Sequence, residues 1–117
     1  MAIKIVKGVI SKKELGEMAR EQFRDVIKVV VDIEQEIMAV GGELHADEEV
    51  VLMEQEKSQR EHTWGINLHL EKTGDEYIEF DSMINLKPAF GNRSRNVESA
   101  EIRERVKKIV KKLVNEQ

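Results

Sequence analysis

Cysteine is absent from this 117-residue chain, which removes disulfides, thiol catalysis and cysteine-ligated zinc from consideration. Proline occurs once and aromatic residues make up only 4%. There is no nucleophile elbow, no histidine-rich metal helix and no pair of aromatic RNA-binding strands. No apolar run approaches the roughly 20 residues that cross a bilayer, and "MAIKIVKG" lacks the apolar core of a secretory signal. No membrane association is therefore expected, and the cytoplasm is the expected location. Positive charge in excess is missing as well. A formal net charge of -4 argues against a dedicated nucleic-acid binder, because phosphate neutralisation needs a basic face.

What the chain does have is charge of both signs. Asp, Glu, Lys and Arg make up 36% of it, against about a quarter in ordinary proteins. Glu and Lys enrichment of this kind suggests a thermophilic source. The length fits a single domain, residues 1–117, that buries about two thirds of the surface its unfolded chain exposes.

"IKIVKG" alternates apolar and basic residues and reads as a short first strand. "SKKELGEMAREQF" sets Ser11 and Glu14 at capping-box spacing, with Leu15, Met18, Ala19 and Phe23 on one helical stripe. From Val26 to Pro88 the pattern changes to strands: "VIKVVVDIE", "IMAVGGEL", "EVVLMEQ", "TWGINLHL" and "YIEFDSMINLK". Short polar links between them predict antiparallel neighbours. "SAEIRERVKKIVKKLV" is a final amphipathic helix with Ser99 as its N-cap. The expected fold is thus α+β: a five- or six-stranded, mainly antiparallel meander sheet with two amphipathic helices, one near each terminus.

Strand alternation places Trp64, Ile66, Leu68 and Leu70 on one face, leaving Asn67 and His69 on the other. A hairpin through "EKTGDE" sets His69 opposite Tyr77 or Glu79, and Asn67 opposite Glu79 or Asp81. Ile78, Phe80, Ser82, Ile84 and Leu86 share a face if that strand continues. The middle strands are apolar on both sides. Two helices cover one face of such a sheet, so Val30, Met83 and their neighbours predict a second copy against the other, most simply as a dimer.

Three constellations could carry chemistry. In an extended "GGELHADEE", Glu43, His45 and Asp47 project to one side and could bind a divalent cation, and a polar turn is the competing reading. His69 beside Glu79 is the minimum for acid–base work, and it is equally a favourable cross-strand pair. Asn85, Asn92, Arg93, Ser94 and Arg95 precede the last helix, where unpaired N–H groups and arginines suit an anion. The alternative is that Arg93 and Arg95 pair with the protein's own acids while Asn92 makes the turn.

"VVDIEQEIMAVGGELHADEEVVLMEQ", "WGIN", "IEFDSMIN" and "GNRSR" together resemble a family of small bacterial and archaeal proteins catalogued only as a domain of unknown function. The resemblance runs from about Lys4 to the last helix and implies no activity, cofactor or catalytic residue. Against that pattern Lys87 replaces an Arg, and "ESAE" replaces Asp-Pro before the helix. The expected function is a small oligomeric binding or regulatory module with an anion site before the C-terminal helix. The alternatives are a metal-dependent or acid–base enzyme using Glu43/His45/Asp47 or His69/Glu79, and a structural interaction protein.

Overall fold

A computed structural model describes residues 3–116. Five antiparallel strands form the main sheet: β1 (Lys4–Val6), β3 (Val26–Asp32), β4 (Ile37–Val40), β5 (Thr63–His69) and β6 (Ile78–Glu79). Two short strands, β2 (Ile10–Ser11) and β7 (Val114–Asn115), pair in parallel and tie the two ends of the chain together. The helices are α1 (Lys12–Glu21), α2 (His45–Glu56) and α3 (Ala100–Leu113).

The order across the sheet is β1-β4-β3-β5-β6 rather than that of a meander. β3 lies in the middle, with β4 and β5 both antiparallel to it. The chain leaving β4 must therefore pass over β3 to reach β5, and α2 makes that crossing. The segment "EVVLMEQ", expected as a strand, belongs to this helix. Its period is concealed because the inward positions are His45, Glu48, Glu49 and Leu52, whereas Val50 and Met53 are exposed. A helix with its acids inside has no apolar stripe to read.

The caps at the two terminal helices follow the sequence. Ser11 Oγ accepts from the Glu14 N–H, and Ser99 Oγ accepts from the Ile102 N–H. Phe23, expected on the α1 stripe, is instead 98% exposed. It takes a left-handed conformation (φ 57) just past the helix end, where the backbone reverses.

One sheet face is apolar throughout. Ile27, Val29 and Val31 of β3 pack with Met38, Val40, Trp64, Ile66 and Leu68 against Leu15 of α1 and Val106, Ile109, Val110 and Leu113 of α3. The other face carries a smaller apolar cluster of Val30, Ile37, Ala39 and Ile84 beneath Leu52 of α2. Val30 is fully buried there, so the chain's own α2 covers part of what a second copy was expected to cover, whereas Met83 remains 62% exposed.

The hairpin register matches the alternation, with Asn67 opposite Glu79 and the His69 N–H donating to the Tyr77 carbonyl. The expected long strand stops at Glu79, however. Residues Met83–Asn85 and Pro88–Phe90 form single 3-10 turns, and Ile84 crosses to the second face. Gly65 permits this crossing, because a Cβ there would lie 2.6 Å from Ser82 Cβ and Oγ. Asn85 then substitutes for a missing strand. Its Oδ1 accepts from the Gly65 N–H at 2.8 Å, and its Nδ2 donates to the Gly65 carbonyl at 3.0 Å.

Candidate functional site

The polar half of the second face begins with a row of side chains across the strands. Lys28 on β3 stands opposite Asn67 on β5, which stands opposite Glu79 on β6. The N-terminus of α2 rests above this row. The segment from Asp81 to Ile84, together with Arg95, forms the far wall. Between them opens a cleft of about 230 Å³, with Lys28, His45, Asn67, Asp81, Ser82 and Arg95 as its polar lining and Leu44, Met83 and Ile84 as its apolar lining.

The start of α2 supplies unusual electrostatics. Leu44, at the N-cap position, has no hydroxyl or carboxylate to offer, and no side chain caps the helix. The first N–H groups of a helix have no intrahelical acceptor, and the helix dipole makes that end partly positive. Leu44, His45 and Ala46 bring this end to the cleft. Lys28 adds a positive charge, and its ammonium has no hydrogen-bond or ion-pair partner among the described residues. Arg95 donates through Nε to Asp81 Oδ1 at 2.7 Å. Its backbone is pinned, since its carbonyl accepts from the Ser82 N–H and from Asn85 Nδ2.

His45 is 8% exposed, and its Nε2 lies 2.8 Å from the Ile66 carbonyl. A carbonyl only accepts, so Nε2 bears the hydrogen and, in the neutral ring, Nδ1 bears the lone pair. Burial lowers the His45 pKa below the ordinary 6.5. Lys28 and Arg95 push in the same direction, while the Ile66 carbonyl and Asp81 oppose it. The ring is therefore neutral at physiological pH, with its tautomer chosen by the sheet. Nδ1 has no hydrogen-bond partner among the described residues.

Behind the cleft, Glu48 is fully buried. Its Oε2 accepts from the Gly42 N–H at 3.0 Å, and its Oε1 has no partner among the described residues. Burial raises its pKa well above 4.5, against the Gly42 hydrogen bond and the attraction of Lys28. The next residue, Glu49, accepts from Thr63 Oγ1 at 2.6 Å and from Arg60 at 3.1 Å. Arg60 also donates to the carbonyls of Ile84 and Leu86. Lys87 donates to the carbonyls of Arg60 and Thr63, with its ammonium 4.2 Å from the centre of the Trp64 ring. Burial lowers the Lys87 pKa to about 8. This second cluster has its donors engaged and fastens α2, β5 and the 84–87 segment together.

The residues expected to form an anion site before α3 do not act together. The Asn85 amide is consumed by Gly65 and Arg95. Asn92 Nδ2 donates to the carbonyls of Asn85, Ser94 and Asn96, and its Oδ1 accepts from the Glu98 N–H. Arg93 is exposed, with its N–H on Glu98 Oε2. Ser99 already caps α3. Of the five, Arg95 alone lines the cleft, so the unfilled helix end belongs to α2 rather than α3.

The structure does not bring Glu43, His45 and Asp47 together. The helix begins at His45, and residues two apart on a helix point away from each other. Glu43 and Asp47 are exposed, and among the described residues no group of three His, Asp or Glu side chains could hold a metal ion. His69 Nε2 does lie 3.1 Å from Glu79 Oε1, with Asn67 Nδ2 on the same oxygen at 3.1 Å. The geometry is that of cross-strand pairs at the sheet edge. Sequence reasoning passed over Lys28 and the α2 terminus. The available signal was one lysine inside the β-branched run "VIKVVVD", on the same side as Val30.

The chain belongs to the family described as "Protein of unknown function (DUF5674)", whose model matches residues 4–113. No curated protein and no solved structure matches it.

Proposed function

We propose that the protein is a small binding module that holds an anionic small molecule in the cleft at the N-terminus of α2. The observation that carries this reading is an uncapped helix end sharing its opening with Lys28, whose ammonium has no hydrogen-bond or ion-pair partner among the described residues. Backbone N–H groups, an ammonium and a guanidinium beside one volume are the groups that suit an anion. The volume, about 230 Å³, lies below the range of drug-sized pockets and suits a small metabolite. The apolar side formed by Leu44, Met83 and Ile84 favours a ligand with some carbon skeleton. No step of this reading needs a metal or a second copy of the chain.

Titration calorimetry with phosphate, sulfate and short carboxylates tests it. Saturable binding of at least one of them is expected, with loss in Lys28→Met. Binding that survives Lys28→Met unchanged, or no binding of any of these anions, refutes the assignment.

A further inference from the structure

We propose that the bound anion carries its own hydrogen-bond donor, an O–H on or next to the charged group, as in hydrogen phosphate or a 2-hydroxycarboxylate. This rests on the anion-binding reading above and adds a demand that reading does not make.

The motivation is that the cleft holds acceptors among its donors. His45 presents Nδ1 as a lone pair, because its other nitrogen is committed to the Ile66 carbonyl. Asp81 gives one oxygen to Arg95, and its other oxygen has no hydrogen-bond partner among the described residues. Both side chains line the same volume as Lys28 and the α2 N-terminus. A fully deprotonated anion placed there meets two lone-pair atoms with nothing to give them. It leaves the His45 acceptor unsatisfied and sets its own charge against the Asp81 carboxylate. An anion with an O–H satisfies one acceptor while its charged oxygens take the N–H groups and Lys28. The neutral His45 ring supports this arrangement, since a protonated imidazole could only donate.

Two matched pairs of probes isolate the donor. Hydrogen phosphate and sulfate share shape and, above the second ionisation of phosphate, share charge, but only the former has an O–H. Lactate and propionate differ by one hydroxyl. Titration calorimetry of the whole chain with all four is the experiment. The proposal expects the hydroxyl-bearing member of at least one pair to bind about tenfold more tightly than its partner. Whichever pair shows the gap identifies the ligand as a phosphate or a hydroxycarboxylate. Asp81→Asn changes a partly exposed side chain, so its folding is not at issue, and it should narrow the gap by strengthening the weaker member. His45→Phe removes the other acceptor and should do the same. Equal binding within both pairs overturns this inference while leaving the anion site standing. A gap that neither variant narrows overturns the assignment of His45 and Asp81. No binding of any probe refutes the underlying site, and the inference with it.

Discussion

The two faces of the central sheet are made by the same strands and held by opposite means. Odd positions of β3, namely Ile27, Val29 and Val31, enter an apolar layer closed by α1 and α3. Even positions, namely Lys28, Val30 and Asp32, meet a helix whose inward residues are a histidine, two glutamates and one leucine. The first face is stabilised by area removed from water, which is non-directional and tolerant of detail. The second is stabilised by particular hydrogen bonds from side chains to distant backbone groups. A structure held in that way can leave a few polar groups over, and those left over are where a ligand finds partners.

The largest expected effect breaks the apolar face. Leu15 of α1 is fully buried against the sheet, and Leu15→Ala should lower the unfolding free energy by about 3 kcal/mol, read as a shift of the urea midpoint at unchanged slope. A loss well under 1 kcal/mol would mean that α1 contributes little to that layer.

The contrast also separates what was legible from what was not. On the apolar face the alternation of Trp64, Ile66 and Leu68, the α3 stripe and both serine caps are local patterns, and the sequence shows them. The polar face hides its logic in long-range bonds. Glu48 reads as a surface acid, and Asn85 as a loop residue, until Gly42 and Gly65 come beside them. The same concealment turned α2 into an expected strand and set a second copy where that helix packs. The anion site was sought at the N-terminus of α3, which is capped; only Arg95 carried over. No local spacing relates Lys28 to Ala46, and the crossing of α2 over β3 is what joins them.

A second break falls on the polar face. Asn85→Ala leaves the Gly65 N–H and C=O without their partner inside the protein, and removes a donor to the Arg95 carbonyl. A cost of about 2 kcal/mol or more is expected, close to that of the leucine although far less apolar area is lost. Because the Arg95 backbone loosens, binding of anionic probes should weaken too. A cost below about 0.5 kcal/mol would show that water replaces the clamp and that the polar face does not depend on it.

Glu48→Gln sharpens the comparison through pH. The folded state holds the Glu48 proton above its ordinary 4.5, so it binds more protons than the unfolded chain over that interval. Stability therefore falls as pH rises through the interval. The glutamine cannot ionise, so the decline that Glu48 causes in the parent should be missing from the variant. The variant should be the more stable of the two on the alkaline side by on the order of 1 kcal/mol. His45 acts with the opposite sign. Its lowered pKa costs stability as pH falls below 6.5, in parent and variant alike, and so cancels from the difference. Parallel melting curves across the whole range would show that Glu48 is ionised without penalty.

The smallest effect on stability should come from Lys28, which lies on the face where polar groups elsewhere hold the fold together. Its ammonium has no ion-pair or hydrogen-bond contact among the described residues, so Lys28→Met keeps the stem beside Asn67 and removes only that charge and its longer-range attraction for Glu48. Unfolding free energy should change by no more than about 0.5 kcal/mol, in either direction. Titrated with phosphate or lactate, the same variant should show no binding. A side chain that folding does not need, set where an uncapped helix opens, is then accounted for by the site. If Lys28→Met instead destabilises the protein as Asn85→Ala does, Lys28 belongs with the clamps of the polar face, and the cleft has lost its one uncommitted charge.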